Sequence, residues 1–201
     1  MGAVEALKTT TSGAIALPLP HKEGGRPLLE VLARRHSSRE FAMSELGPQL
    51  LSDLLWAAFG INRSDGRRTA PSARNWQEID LYVALSSGVY LYDPCECLLA
   101  MILNADVRAL TGEQDFVATA PLNLIYVADL ARMDSGDRTE KRFYSGIDAG
   151  LIAQNVYLFC ASEGLETVVR GLLDRKALAL KLGLRPEQRV IVAQTVGFPL
   201  R

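Results

Sequence analysis

The apolar residues of this chain follow two spacings, and each spacing predicts a type of secondary structure. Apolar residues recur every three to four positions at 28–33, 50–58 and 173–182, which is typical of amphipathic helices. Short runs of branched and aromatic residues predict strands at 79–85, 89–92, 121–128, 165–169 and 189–196. A further apolar run at 98–103 fits either type. Because helices and strands are mixed in this order, the chain is predicted to be an α+β layer structure with a largely antiparallel sheet.

The most apolar helix is predicted over 146–162, and between Ala149 and Ala161 its only strongly polar residues are Gln154 and Asn155. A helix that is apolar on all sides is buried, either in the core or across a subunit interface. Ser145 is followed three positions later by an acidic residue, which is the spacing of a capping box and predicts the helix start. The segment 129–142 is then a charged connection.

Composition restricts the classes of protein to consider. The chain has 201 residues, of which 48% are apolar and 22% charged, so it suits a single globular domain. Its net charge of −1 gives no electrostatic basis for binding nucleic acid or a membrane surface. Neither a membrane-spanning run nor a signal-peptide stretch is found, which predicts a cytoplasmic protein. Residues 1–26 are predicted to form an extended N-terminal arm, and residues 27–201 the domain.

Few side chains are suited to demanding chemistry. The cysteines number three, and the Cys95-x-Cys97 spacing argues against a disulfide framework or a zinc site, so buried inert thiols are expected. There are two histidines, which excludes a His-rich metal centre, and no metal is predicted. Either the protein is not an enzyme, or a cofactor carries the chemistry.

Three segments concentrate groups that bind anions or flat heterocycles. Segment 34–41 holds three guanidiniums, an imidazole and two hydroxyls, and guanidiniums bind phosphate bidentately. Segment 67–77 adds arginines and side-chain amides that can read the edge of a heterocycle. Segment 164–174 contains a strand that ends at Gly171, where a backbone can approach a ligand closely. Taken alone, each is equally compatible with a solvated helix end or an ordinary turn.

Together, in this order and spacing, the segments resemble the FMN-dependent nitroreductase family over about residues 28–199. Its opening motif is similar to Arg-His-Ser-Ser-Arg-x-Phe at 35–41, and its second motif to Pro-Ser-Ala-Arg-Asn-Trp-Gln at 71–77. Residues 55–61 resemble the branch that contains dehydrogenases of azoline rings in peptides. The resemblance implies a three-layer α+β sandwich, with a mostly antiparallel central sheet flanked by long helices, in a homodimer.

The family resemblance also implies roles for individual residues. In the opening motif, Arg35, His36 and Ser37 would bind FMN, with Arg35 and Ser37 on its phosphate. Arg39 would lie near the N1–C2 edge of the flavin, where a cation eases hydride uptake. The turn whose backbone amide faces flavin N5 corresponds to Val169, Arg170 and Gly171. The residues that would reach the flavin from the second subunit are Pro71, Ser72, Ala73 and Asn75.

The function implied is hydride transfer from NAD(P)H through flavin N5 to small electron-poor acceptors such as nitroaromatics or quinones, in a ping-pong cycle. No side chain is predicted to be catalytic, because the flavin carries the chemistry and Arg39 tunes it. The first alternative is a flavin dehydrogenase of azoline-type peptides or another specialised substrate. A second is a flavin-binding protein without turnover, and a third is an α+β interaction domain without a cofactor.

The chain departs from the family pattern at three places. Gln77 is followed by Glu78, where the family usually has proline. Arg170 stands where many members have an acidic residue, which predicts more positive surroundings for flavin N5. The chain stops at Arg201, before the arm that wraps the partner in many members. We therefore expect either that Arg34 or Arg201 supplies the missing cation or that phosphate binding is weaker.

Overall fold

A single antiparallel sheet organises the protein in the computed structural model, which describes Leu7 and residues 13–200. Its seven strands lie in the order β1-β4-β3-β2-β5-β7-β6, and every neighbouring pair is antiparallel. This confirms the predicted sheet and assigns the run at 98–103 to a strand. The strands are β1 (Ile15–Ala16), β2 (Ile79–Leu85), β3 (Gly88–Asp93), β4 (Leu98–Leu103), β5 (Leu122–Asp129), β6 (Glu166–Arg170) and β7 (Gln188–Gly197).

Helices cover both faces of the sheet, which confirms the predicted three layers. The helices are α1 (Leu28–Arg34), α2 (Pro48–Phe59), α3 (Arg138–Glu163) and α4 (Arg175–Lys181). Helices α1, α2 and α3 pack together on one face, and α4 lies on the other. In the described part of the chain, every helix is too short or too polar to cross a bilayer.

Strand β2 shows how the sequence pattern becomes two cores. Leu81 and Val83 point into the core beneath α2 and α3, whereas Tyr82 and Ala84 point into the smaller core beneath α4. Successive side chains of a strand point to opposite faces, so a strand covered on both faces is apolar at every position. The central strand β5 is buried along its whole length for the same reason.

The long helix α3 begins well before its predicted start at 146. Asp137 is its N-cap, and its carboxylate accepts hydrogen bonds from the N–H groups of Thr139 and Glu140. The capping box predicted at Ser145 is therefore wrong, because Ser145 lies buried inside the helix and donates to the Lys141 carbonyl at 2.9 Å. The segment 129–142 is correspondingly not a loose connection. Asp129 is the buried last residue of β5, and the polar residues from Arg138 to Arg142 form the first helical turns of α3.

The N-terminal segment predicted as an arm is described only in part, since residues 1–6 and 8–12 lie outside the described residues. From residue 13 onward it packs on its own chain. Ile15 pairs with Leu99 of β4 and is 1% exposed. Further along, the His21 N–H donates to Asp53 of α2 at 2.7 Å. The described part of this segment therefore extends the sheet and contributes to the core.

Helices α1 and α3 each carry apolar side chains that none of the described residues covers. On α1, Leu28 is 62% exposed and Leu29 is 79% exposed. On α3, Ile147 and Leu151 are exposed on the face opposite the core, on the same side as Gly150. The sequence predicted that this helix is buried either in the core or across a subunit interface. The core of the single chain does not bury α3 on all sides, so burial of its exposed face in an interface stays a prediction.

The cysteines are free and differ in environment. Cys160 of α3 is buried, and burial raises the pKa of its thiol well above its ordinary value. Cys95, in the turn between β3 and β4, is exposed. The expectation of buried, inert thiols is therefore met by Cys160 and wrong for Cys95.

Candidate functional site

The opening motif and the end of β6 come together at one edge of the sheet. The Ser38 N–H donates to the Thr167 carbonyl at 3.1 Å, so the segment that follows α1 runs along the outer edge of β6. The Tyr157 hydroxyl of α3 joins the two, because it accepts from the Val169 N–H at 2.9 Å and hydrogen-bonds Ser37 Oγ at 2.8 Å. We call this group the α1 half-site; it comprises residues 35–39, Tyr157 and residues 167–171.

Two guanidiniums of the α1 half-site lack an anionic partner among the described residues. The Arg35 guanidinium stacks over the Tyr157 ring at 5.3 Å, and Arg39 lines a cleft at the end of β6. Within residues 13–200, no carboxylate approaches either of them to ion-pair distance. Arg34, in contrast, pairs with Glu30 at 2.8 Å, and His36 lies 2.9 Å from Glu166. A pair of guanidiniums without counter-charge is suited to binding an external anion.

A shallow cleft of about 150 Å³ lies next to Arg39. Val169 and Gly171 line it together with Gln114 and Phe116. Gly171 follows the last residue of β6, and a glycine there lets a ligand approach the main chain closely. The cleft therefore combines a cation with main-chain groups at the end of β6.

The Arg170 side chain turns away from this cleft edge into the protein. It is 5% exposed and donates to the Thr111 carbonyl at 2.6 Å, to Asn123 Oδ1 at 2.8 Å and to Thr195 Oγ1 at 2.9 Å. Burial lowers the pKa of its guanidinium to about 10. Only the Arg170 backbone is thus available to a ligand at the turn. The polar Asn123 and Thr195 within apolar strands were the sequence signal for this buried group, and sequence reasoning missed it.

The second motif forms a separate group on the other flank of α3, which we call the loop half-site (residues 71–78 with Asp148). The Ala73 N–H donates to Asp148 Oδ2 at 2.9 Å, and Ser72 Oγ accepts from the Gln77 N–H at 2.9 Å. Arg74, Asn75 and Gln77 have φ values of 51°, 57° and 49°. Such values are uncommon for residues other than glycine, so the surrounding contacts hold the loop in one specific shape.

Two carboxyl groups are buried beneath the loop half-site. Glu78 is 0% exposed and Asp148 is 2% exposed. Ser72 Oγ donates to Glu78 Oε2 at 3.3 Å. Burial raises the pKa of Glu78, and the nearby charge of Asp148 raises it further. The residue that departs from the family motif is therefore a carboxyl group that supports the loop, and neither it nor Asp148 was predicted as a site residue.

Helix α3 keeps the two half-sites apart. Asp148 contacts the loop half-site and Tyr157 belongs to the α1 half-site, so about 13 Å of helix separates them at a rise of 1.5 Å per residue. At about 100° per residue they also point from opposite flanks of the helix. Within one chain, the opening motif therefore lies next to the turn after β6. The second-motif residues are distant from both, and they are Pro71, Ser72, Ala73 and Asn75.

Comparisons with known proteins agree with this architecture. A model of the nitroreductase family matches residues 32–198. A protein of Methanocaldococcus jannaschii, described as "Putative nitroreductase MJ1384", is 37% identical over 156 residues, which are 72% of this chain and 78% of the relative. The chain belongs to the nitroreductase family and is an oxidoreductase by that membership.

Two solved structures extend the comparison to the fold. A crystal structure from Ralstonia eutropha JMP134, also titled a "putative nitroreductase", matches with a TM-score of 0.90 and 43% identity over 100% of this chain and 97% of the other. The NADPH:FMN oxidoreductase of Vibrio harveyi, solved with NAD+, matches with a TM-score of 0.67 and 22% identity, over 87% of this chain and 69% of the other. The second likeness shows a common fold.

Proposed function

We propose that the protein is a homodimeric, FMN-dependent oxidoreductase that transfers hydride from NAD(P)H to small electron-poor acceptors such as nitroaromatics or quinones. The observation that carries the proposal is the α1 half-site, where Arg35 and Arg39 lie beside an open strand edge without a described carboxylate partner. Membership of the nitroreductase family and the fold shared with an NADPH:FMN oxidoreductase support it.

The groups of the α1 half-site fit FMN. Arg35 and the Ser37 hydroxyl offer the donors that a phosphate monoester requires, with His36 adjacent. Arg39 offers a cation to the N1–C2 edge of a flavin, where positive charge stabilises the anionic reduced form. The backbone of the turn from Val169 to Gly171 offers an N–H at the edge of the cleft. When bound, FMN supplies a centre that accepts hydride and passes it on.

The homodimer is proposed from the surface of the chain. Exposed contiguous apolar patches of this kind mark protein interfaces, and here they cover α1 and the outer face of α3. Gly146 and Gly150 lie on that face with open space around them, so another backbone can approach closely. Such a dimer lets Pro71, Ser72, Ala73 and Asn75 of one chain complete the α1 half-site of the other.

A visible absorption spectrum of the purified protein, recorded before and after anaerobic addition of NADH or NADPH, tests the proposal. We expect a two-banded flavin spectrum that the nucleotide bleaches and that a quinone restores. Riboflavin is the matched control ligand, since it lacks the phosphate that Arg35 and Ser37 would hold, and it should bind at least tenfold more weakly than FMN.

The other outcomes of this experiment separate the alternatives. A bound flavin that neither nucleotide bleaches would instead favour the azoline-type dehydrogenase or the flavin-binding protein without turnover. Oxidation of an azoline peptide would then distinguish these two. A protein that takes up no flavin from excess FMN would overturn the proposed function altogether.

A further inference from the structure

A tight hairpin next to the loop half-site carries a second group of arginines. Residues Ile61 and Arg68 pair as an antiparallel bridge. The Asn62 N–H donates to the Arg67 carbonyl at 3.1 Å, and the Gly66 N–H donates to the Arg63 carbonyl at 3.1 Å. Gly66 has a φ of 80°, which glycine adopts without strain. The turn is therefore well defined and fixes the backbone positions from which Arg63 and Arg67 extend.

These arginines line a cleft of about 230 Å³ together with residues of the loop half-site. None of the residues that line it is acidic. The cleft is smaller than the pockets that enclose whole ligands, so it suits one group of a larger molecule. The lining residues are Arg63, Arg67, Arg68, Ala70, Pro71, Ser72, Asn75 and Gln77.

The charge in this arginine cleft is held in place and only weakly compensated. The Arg68 guanidinium donates to Gln77 Oε1 at 2.8 Å and to the Phe59 carbonyl at 3.2 Å, and it stacks over the Phe59 ring. Asp65 lies 3.5 Å from Arg67, but both side chains are more than half exposed, and exposed pairs of this kind contribute little. The three guanidiniums of the cleft are thus compensated by one exposed carboxylate, Asp65, which does not line the cleft.

We propose that the arginine cleft binds the 2′-phosphate of NADPH, which makes NADPH the preferred electron donor over NADH. The inference rests on the proposed function. A phosphate monoester carries close to two negative charges and three acceptor oxygens, which the guanidiniums and the Asn75 side-chain amide match. The phosphate of FMN is assigned to Arg35 and Ser37, so this cleft is left for a second phosphate. The cleft shares Pro71, Ser72 and Asn75 with the loop half-site, so a phosphate bound in the cleft would lie beside the proposed flavin site.

Donor preference of the FMN-loaded enzyme tests the assignment. We expect a kcat/KM for NADPH at least tenfold above that for NADH in the parent protein. The substitutions Arg63→Gln and Arg67→Gln should each lower kcat/KM for NADPH about tenfold, chiefly through KM, and leave the value for NADH nearly unchanged. Arg67→Lys should recover part of the loss because it keeps the charge. Lys181→Gln on α4, an exposed cation on the other face of the sheet, is the matched control.

Calorimetric titration provides a readout that does not depend on turnover. Adenosine 2′,5′-bisphosphate should bind the FMN-loaded protein at least tenfold more tightly than 5′-AMP, and Arg63→Gln should remove that difference. Equal binding of the two nucleotides, or equal losses for NADH and NADPH, would overturn the inference. A fall in FMN affinity in the variants would also overturn it, since the cleft would then hold the phosphate of FMN.

Failure of the inference is distinguishable from failure of the proposed function. Bleaching of the flavin by both nucleotides at equal rates contradicts only the phosphate assignment. Absence of bleaching by either nucleotide contradicts the proposed use of NAD(P)H as the electron donor, and the calorimetric comparison then still reports on the cleft.

Discussion

The α1 half-site and the loop half-site offer similar ligand-binding groups but rest on different supports. A neutral hydroxyl, that of Tyr157, ties Ser37 to Val169 in the α1 half-site. Two buried carboxyl groups, Glu78 and Asp148, hold the backbone of the loop half-site. Hydroxyl hydrogen bonds do not change over ordinary pH, whereas a buried carboxyl group changes charge. Protonation of Glu78 should therefore affect the support of the loop half-site and not the Tyr157 link of the α1 half-site, and neither half-site should bind a cofactor well alone.

Separation of the subunits should have the largest effect. We expect the double substitution Ile147→Arg with Leu151→Arg to give a monomer, because it places two charges on the exposed apolar face of α3. Light scattering measures the mass, and FMN affinity should fall about hundredfold because each α1 half-site loses its partner loop.

Leu180→Arg is the control for this change. Leu180 is 85% exposed on α4, which lies on the other face of the sheet, so the mass and the FMN affinity should stay as they are. A monomeric double variant that binds FMN as tightly as the parent would show that one chain suffices.

Glu78→Gln should change how stability depends on pH. Because burial raises the pKa of Glu78 in the folded state above its ordinary 4.5, the folded protein holds this proton more tightly than the unfolded chain. The parent therefore loses unfolding free energy as pH rises from about 4.5 through the raised pKa, because ionisation of the buried carboxyl group favours the unfolded chain. The variant, which is a neutral mimic of the protonated acid, should lack this loss.

Urea unfolding at several pH values between 5 and 8 measures the difference. Glu163→Gln, at the exposed end of α3, should keep the pH dependence of the parent. Parallel curves for the parent and Glu78→Gln would show that Glu78 is ionised in both states, and the contrast between the half-sites would disappear.

Tyr157→Phe should have the smallest effect and one that is independent of pH. It removes a hydroxyl that bonds both Ser37 and the Val169 N–H, which costs about 1 kcal/mol of unfolding free energy and about tenfold in FMN affinity. Tyr144→Phe on the same helix is a matched control. If the FMN affinity of Tyr157→Phe stays at the parent value, then this hydroxyl does not position the opening motif.

The predictable parts of the fold are those governed by local pattern. The alternation from Ile79 to Leu85 predicted β2 with its observed bounds, because its side chains divide between two cores. The start of α3 was missed for the opposite reason. Its first turns are polar because they face solvent, and without apolar periodicity the cap at Asp137 was the remaining signal. Likewise, the spacing of apolar residues in α1 predicted a helix but not the exposure of Leu28 and Leu29, because exposure depends on which other elements contact the helix.

The candidate site was predictable as a set of motifs but not as a geometry. The resemblance named Ser37 and Val169, yet Tyr157, which joins them, looked like one more large residue in an apolar helix. The direction of the Arg170 side chain was similarly beyond the sequence, since it depends on partners from strands far apart in the chain, Asn123 and Thr195. Contacts between residues far apart in the chain produce no local sequence pattern from which they could be predicted.

The placement of the half-sites on opposite flanks of α3 has a genetic consequence for the proposed homodimer. A chain damaged at Arg39 and a chain damaged at Asn75 would each form inactive dimers with themselves. In a mixed dimer, both lesions fall in one of the two sites and the other site is assembled entirely from undamaged halves. Two recessive alleles of the same gene would then complement each other, so inheritance itself would report which residues share a site.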